Sequence, residues 1–207
     1  MKEMGARTAE EAVYELLGQP ARHPALVRTG AAAAPLPFQG RPWTADLDTV
    51  DFLKQREVHG RRLFVVAFEA EHVRRGFVQM TALVRADRFG KDWIARRITG
   101  ASGSGDLAPT APSVNLGGSW GKHGFCGGGK VNAAGADVAR VRIRFGNGVE
   151  LEDDTAGGWV LFFTNRPVER PNAEVELLDP DGGVLSSFHW PWSPDLAEAL
   201  RRRIPRT

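Results

Sequence analysis

The chain has 207 residues, a formal net charge of +2, a hydrophobic fraction of 42 % and a single cysteine, Cys126. This length accommodates one large domain or two small ones, and the ordinary apolar content excludes wholesale disorder. One cysteine excludes an intrachain disulfide, a cysteine-rich zinc site and an iron–sulfur cluster, and we predict no cofactor.

The first predicted element is a short helix that begins with a capping box at Thr8. The pattern Thr8-Ala9-Glu10-Glu11 lets the Thr8 hydroxyl accept a hydrogen bond from the N–H of Glu11 while the Glu11 side chain reaches back. An apolar stripe follows, and Gly18 ends the helix. A helix of about ten residues is not stable alone in water, so it must dock on another element. Residues 1–42 are therefore predicted to be a helical arm with an Ala/Pro-rich connector.

Residues 43–100 are predicted to form an α+β segment that ends in an antiparallel meander. Asp46 or Asp48 suits the cap of a second short helix over residues 46–55. Apolar runs and a polar turn at residues 87–91 then predict three strands, at residues 63–68, 77–84 and 92–98. Residues 101–112 are rich in Gly, Ser and Pro, which predicts a linker.

Residues 113–192 are predicted to form an antiparallel β-sandwich, because short strands alternate with turns at immunoglobulin-like spacing. Apart from one hairpin treated below, strands are predicted at residues 158–164, 173–178 and 184–190. Residues 193–207 are predicted to be a short C-terminal helix and tail. The predicted fold is thus mainly β: a sandwich that carries an N-terminal helix-plus-meander segment and a C-terminal helix.

The hairpin at residues 138–154 has a register that the side chains determine. A two-residue loop would pair Phe145 with Glu150 and mix an aromatic ring with a charge on one face. A three-residue loop with Gly148 in the left-handed region pairs Phe145 with Val149 and sorts every residue. The remaining predicted pairs are Arg144 with Glu150, Ile143 with Leu151, Arg142 with Glu152, and Arg140 with Asp154. This register predicts an arginine–carboxylate ladder on a solvated face.

The segment from Gly124 to Lys130 matches the G-x-x-x-x-G-K portion of a phosphate-binding loop. Position 131 is Val instead of the Ser or Thr that would hold magnesium, and a strand follows where a helix should begin. Nucleotide binding is therefore not predicted. We interpret the glycines as a bulge, a loop or a tight chain crossing where missing Cβ atoms permit close approach.

Two weak candidates for catalytic chemistry are present. His123 and Cys126 lie three residues apart and could form a thiolate–imidazole pair, although an unpaired Cys is more often a buried small hydrophobe. Glu69 and Glu71 would lie on one face of a strand and could form an acid/base pair. The other histidines show no shared ligand spacing, so no metal site is predicted.

Tryptophan is the main surplus of the sequence. Candidate binding residues in the C-terminal segment are Trp120, Trp159, Trp190 and Trp192, with His189 beside them. On one exposed face they would make a stacking platform for a sugar or peptide. The competing interpretation, which we favour, is that they fill the core of the sandwich.

These observations predict a non-enzymatic recognition or assembly module that binds a protein partner, or itself, through sandwich loops or a sheet edge. The alternatives are a carbohydrate-binding module that uses surface Trp, and a small hydrolase or thiol enzyme that uses His123 and Cys126. Nucleic-acid binding is not favoured, because the small positive charge reduces to an arginine cluster at residues 201–206. No run suits a membrane span and no signal peptide is evident, so we expect a cytoplasmic protein; a trimmed secreted precursor would look the same.

Overall fold

The computed structural model describes residues 8–18, 43–72, 76–101, 110–121, 124–168 and 173–190. The chain divides into two compact units, Met1–Gly105 and Asp106–Thr207, which we call unit 1 and unit 2. The division falls within the segment predicted as a linker. The predicted connector, the C-terminal helix and the arginine cluster lie outside the described residues.

Unit 1 is an antiparallel sheet with one helix. Its described elements are α1 (Ala9–Gly18), β1 (Trp43–Ala45), a 3-10 turn (Leu47–Thr49), β2 (Asp51–Val58), β3 (Arg61–His72), β4 (Gly76–Phe89) and β5 (Asp92–Ala101). The long strand β3 pairs with β4 on one side, and with β1 and β2 at different ends of its other side. β5 extends the sheet beyond β4. The predicted meander is therefore confirmed, with strands longer than the sequence indicated.

The second helix, predicted over residues 46–55, is wrong. Asp46 does cap a turn, and its carboxylate accepts a hydrogen bond from the N–H of Asp48 at 3.1 Å. That turn is a single 3-10 turn, and β2 begins at Asp51. Phe52 pairs with Val66 in register, and its ring lies 5.3 Å from that of Phe64. Burial of this ring in the sheet outweighs a weak helical pattern, because propensity is readily overridden by tertiary packing.

The predicted capping box is present at the start of α1. The N–H of Glu11 donates to Thr8 Oγ1 at 3.0 Å, and the N–H of Thr8 donates to Glu11 Oε2 at 3.1 Å. The apolar stripe of α1 is buried in one cluster with the sheet. Arg62 on β3 adds a polar anchor: its Nη1 contacts Glu10 Oε1 at 2.7 Å, and its guanidinium lies 5.7 Å from the centre of the Trp93 ring. The helix is thus docked on the sheet, as its short length requires.

Unit 2 contains two antiparallel sheets. Its described strands are β6 (Ser113–Gly121), β7 (Gly124–Asn132), β8 (Arg140–Phe145), β9 (Glu150–Asp154), β10 (Trp159–Thr164), β11 (Ala173–Leu178) and β12 (Val184–Trp190), with a 3-10 turn at Ala156–Gly158. The strand orders are β10-β7-β6 and β12-β11-β8-β9. Buried side chains of both sheets form one hydrophobic cluster. The chain is thus mainly β, with antiparallel sheets and an N-terminal helix.

The predicted register of the β8–β9 hairpin is confirmed. Arg144 pairs with Glu150, and Arg140 pairs with Asp154. The N–H of Phe145 donates to the carbonyl oxygen of Val149 at 2.8 Å. Gly148 has φ +81°, in the left-handed region that glycine adopts without strain.

The glycine-rich segment at residues 124–130 is a strand, so its interpretation as a loop or bulge is wrong. It lies in β7, the middle strand of a three-stranded sheet. The expected close approach is nevertheless present at residues 127–129. Cβ atoms there would collide with the backbone carbonyl oxygens of Asn115, Gly117 and Val160 on the two neighbouring strands. Glycine is needed for packing, and no helix follows that could bind phosphate.

Candidate functional site

The predicted thiol site is half described. Cys126 lies on β7 and is 4 % exposed, in register with Phe163 and Ser119 on the neighbouring strands. His123 lies outside the described residues, so its pairing with Cys126 stays a prediction. A buried thiol in apolar surroundings is inert compared with the exposed thiolates of catalytic sites.

The two glutamates of the predicted acid/base pair lie on β3. Glu69 Oε1 accepts a hydrogen bond from Nε2 of Gln79 at 2.8 Å, directly across the sheet. The backbone N–H of Glu69 also donates to Thr49 Oγ1 at 2.8 Å, which ties the 3-10 turn to the sheet. Glu71 is exposed and pairs with Phe77. These contacts give Glu69 a structural role, and the catalytic role stays a prediction.

The tryptophans are divided between the core and the part of the chain that is not described. Trp190 is 5 % exposed and packs edge-on against Phe125, with 5.7 Å between the ring centres. Trp159 is 8 % exposed. The side chain of Trp120, and Trp192 as a whole, lie outside the described residues. Both described rings are therefore buried, as the core interpretation expects, and a sugar platform stays a prediction.

A charged network covers the outer face of the strands β11, β8 and β9. Arg142 contacts Glu152 at 2.9 Å and Glu176 at 3.3 Å. Arg144 contacts Glu150 at 2.8 Å and Glu176 at 2.7 Å. Glu176 is 7 % exposed, so this carboxylate holds two arginines at the centre of the network. Because the positive charges are met by carboxylates of the same face, the ladder stabilises the sheet and offers no surplus charge to an anion.

The network also sets the protonation of Glu152. Partial burial alone would raise the pKa of this carboxyl, but the hydrogen bonds and charges of Arg142 and Arg140 outweigh burial and hold the pKa below its ordinary value. Glu152 therefore stays ionised to a lower pH than an unpaired glutamate does. The ladder is confirmed as a structural feature of the solvated face.

Sheet edges are the remaining sites at which a β protein can bind a partner, because an edge strand presents backbone N–H and C=O groups to a further strand. Charged side chains discourage such pairing. In unit 1 both long edge strands are charged: β2 carries Lys54 and Arg56, and β5 carries Asp92 and Arg96. These edges are poor acceptors of a further strand.

In unit 2 the edge at β9 is protected in two ways. Four of its five residues are acidic. In addition, Asp153 turns inwards and its Oδ2 accepts a hydrogen bond at 2.7 Å from the buried N–H of Leu161 on β10. This contact joins the edge strands of the two sheets and occupies a backbone donor of β10 that a strand added at this junction would otherwise use. We call this junction of β9 and β10 the closed seam.

The opposite edge, β12, has neither protection. It pairs only with β11 among the described residues, and Val184–Trp190 contains no Lys, Arg, Asp, Glu or Pro. Val184 and Leu185 are 56 % and 38 % exposed. The edge strand β6 is also uncharged, but Gly117 and Gly118 deprive its middle of side chains that could pack across a strand pair. β12 is therefore the strongest candidate binding edge of the described chain.

The sequence contains a signal for this edge in the charge of two runs. The acidic run at residues 150–154 and the uncharged run at residues 184–190 contrast within one predicted sheet. That contrast becomes informative once the strand order shows that both runs lie at edges.

Comparison of the chain with protein-family models, with curated proteins and with solved structures gives no match. Among the described residues, no helix is long and apolar enough to cross a membrane. The same part of the chain contains no group of three or more His, Cys, Asp or Glu side chains that could hold a metal ion. The proposals below therefore depend on geometry.

Proposed function

We propose that unit 2 is an immunoglobulin-like β-sandwich that acts as a non-enzymatic recognition module and binds an extended strand of a protein partner along β12. The strand order supports the sandwich. The connections β7–β8 and β10–β11 both pass from one sheet to the other, β7 pairs with β10, and β8 pairs with β11. Two such crossings between sheets that share one core cluster are typical of Greek-key sandwiches.

The observation that carries the binding function is the contrast between the two edges of one sheet. The β9 edge is acidic and closed by Asp153, whereas the β12 edge is uncharged and exposes Leu185. Natural sheets protect edges that must not pair, so an edge without protection in a sheet protected elsewhere is suited to pairing.

Strand addition divides recognition between the backbone and the side chains. The outward N–H and C=O groups of β12 supply affinity for any extended segment. Alternating side chains supply specificity: Leu185, Ser187 and His189 are exposed, whereas Phe188 packs on the core cluster. The segment that fits is therefore extended and lacks proline, with side chains that can pack beside Leu185 and Phe188 at the positions opposite them.

The test uses random peptides displayed on phage and selected against the whole protein. Selected peptides should protect the amides of β12 from hydrogen exchange, and the substitution Leu185→Lys should abolish their binding. Leu185 is exposed, so the fold tolerates the change, and an unchanged melting temperature verifies this. The matched control is Phe77→Lys in unit 1, an apolar residue that is 75 % exposed. Peptides that bind Leu185→Lys equally well, or that protect another strand, would contradict the proposal.

A further inference from the structure

We infer that the strand added to β12 is β12 of a second copy of this chain, paired antiparallel about Ser187 in a two-fold symmetric dimer. The inference rests on the proposed function, because it names the partner of the same edge. The dimer would join the sheets β12-β11-β8-β9 of two copies into one continuous sheet.

The geometry of self-pairing selects the register. A two-fold axis perpendicular to the sheet keeps the core side of one copy continuous with the core side of the other, so each residue must pair with one of the same face. Such pairing is centred on a residue, and Ser187 is the middle residue of Val184–Trp190. Pairing about Ser187 uses the full length of the strand.

The side chains that meet in this register are compatible in size. On the solvated face Leu185 lies opposite His189 of the second copy, and the two Ser187 side chains meet at the axis. On the core side Ser186 lies opposite Phe188 of the second copy. Each large side chain thus lies opposite a smaller or planar one. Opposite residues have Cβ atoms about 4.5–5.5 Å apart, and at that distance an aromatic ring stabilises the sheet through contact with its cross-strand neighbour. No large ring is forced against its own copy.

Charge favours a second copy at β12 over a second copy at other edges. Antiparallel self-pairing about a central residue brings that residue against its own copy, so a charged centre repels itself. The centre of β9 is Glu152, flanked by further acids on the same face. β12 contains no Lys, Arg, Asp or Glu, and His189 lies opposite Leu185 in the proposed register. Self-pairing at β12 therefore meets no electrostatic opposition.

Sedimentation velocity over a series of protein concentrations tests the dimer. The wild-type protein should dimerise, whereas Ser187→Lys and Ser187→Glu should each remain monomeric, because two like charges then meet at the axis. An equimolar mixture of these two variants should recover the dimer, since the axis then holds an ion pair. The matched control is Ser119→Lys, an exposed serine on the other uncharged edge strand, β6, which should dimerise like the wild type.

A covalent trap gives an independent reading should a charged variant fail to fold. Residues directly opposite in an antiparallel pair have Cα atoms about 4.5–5.5 Å apart, which suits a disulfide. Ser187→Cys should therefore form a covalent dimer with oxidised glutathione, whereas Asn115→Cys, an exposed position of β6 that pairs with Lys130, should not. Native Cys126 is 4 % exposed and does not compete.

Three outcomes would overturn the inference: a wild-type protein that is monomeric at all concentrations, a mixture of the Lys and Glu variants that dimerises no better than either alone, or a dimer lost in Ser119→Lys. The first outcome together with phage peptides that protect β12 would leave strand addition intact and refute only the second copy. Failure of the peptides together with an intact Ser187-dependent dimer would mean that β12 accepts only its own sequence.

Discussion

Replacement of Glu176 by Gln should destabilise unit 2 by about 2 kcal/mol, because the substitution keeps the shape of the side chain and removes the charge that two arginines share. A hydrogen bond to a charged group contributes about 1.5–3 kcal/mol when it is well formed and shielded. Here the contact with Arg142 is long, at 3.3 Å, and the side chain of Arg144 is 42 % exposed. Solvent screening therefore places each contact at or below the low end of that range.

The comparison variant is Glu150→Gln on the same network. Its carboxylate also contacts Arg142 and Arg144, at 3.4 and 2.8 Å, but its side chain is 49 % exposed against 10 % for Glu176. An exposed ion pair contributes about 0–1 kcal/mol, so this variant should lose less than half as much stability.

Native-state hydrogen exchange of the β8 and β11 amides is the appropriate assay, since it reports on unit 2 independently of unit 1. Equal destabilisation by Glu176→Gln and Glu150→Gln would refute this prediction, because burial would then have no influence on the strength of the network. A cost of less than about 0.5 kcal/mol for Glu176→Gln, the size of an ordinary surface substitution, would refute it as well.

Two further predictions concern packing and pH. Gly128→Ala should destabilise unit 2 by about 1–3 kcal/mol, because the new Cβ would collide with the carbonyl oxygen of Val160. Hydrogen exchange measures the loss of stability, with Ser119→Ala as the control. Equal effects of the two substitutions would refute the close approach. Glu152 has a pKa lowered by Arg142 and Arg140, so its contribution to stability is present above its unfolded pKa of about 4.3 and is lost as the pH falls through the folded pKa. The advantage of the wild type over Glu152→Gln in melting temperature should therefore shrink as the solution is acidified below that value, and a constant difference would contradict the cause assigned to the pKa.

The elements predicted well from sequence are those in which several local signals agree. In the β8–β9 hairpin the apolar alternation, the charge pairs and Gly148 all specify one register, and a slip by one residue would reverse every side chain. The capping box at Thr8 is similarly local, because it depends on two residues within one turn.

The elements predicted poorly are those whose side chains carry little information. β6 and β7 were not predicted as strands, because their glycines have no side chain whose alternation could be detected. β6 pairs with the next strand, β7, whereas β7 also pairs with β10, which is distant in sequence. The cap at Asp46 predicts a helix over residues 46–55, but it serves only a 3-10 turn, and the strand β2 that follows is identified by its pairing with the next strand, β3.

The sequence could predict that a sheet edge is a candidate binding site, but not which strand forms it. Binding by a sheet edge was expected, but which strand lies at an edge depends on the strand order, which is a property of the whole unit. The expected Trp residues are the counter-example: Trp190 lies on β12, yet its ring packs against Phe125 in the core. Trp190 was a candidate because an exposed tryptophan can stack on a ligand, but its ring is buried and cannot do so.

The closed seam at Asp153 would limit how far the proposed assembly can proceed. A sheet with two open edges adds neighbours on both sides and grows without limit, as fibres do. In this protein one edge of the sheet is the acidic strand β9, which Asp153 joins to β10, and β12 is the uncharged edge on the other side. Two copies that meet at β12 consume both open edges, so growth of this sheet terminates at the pair.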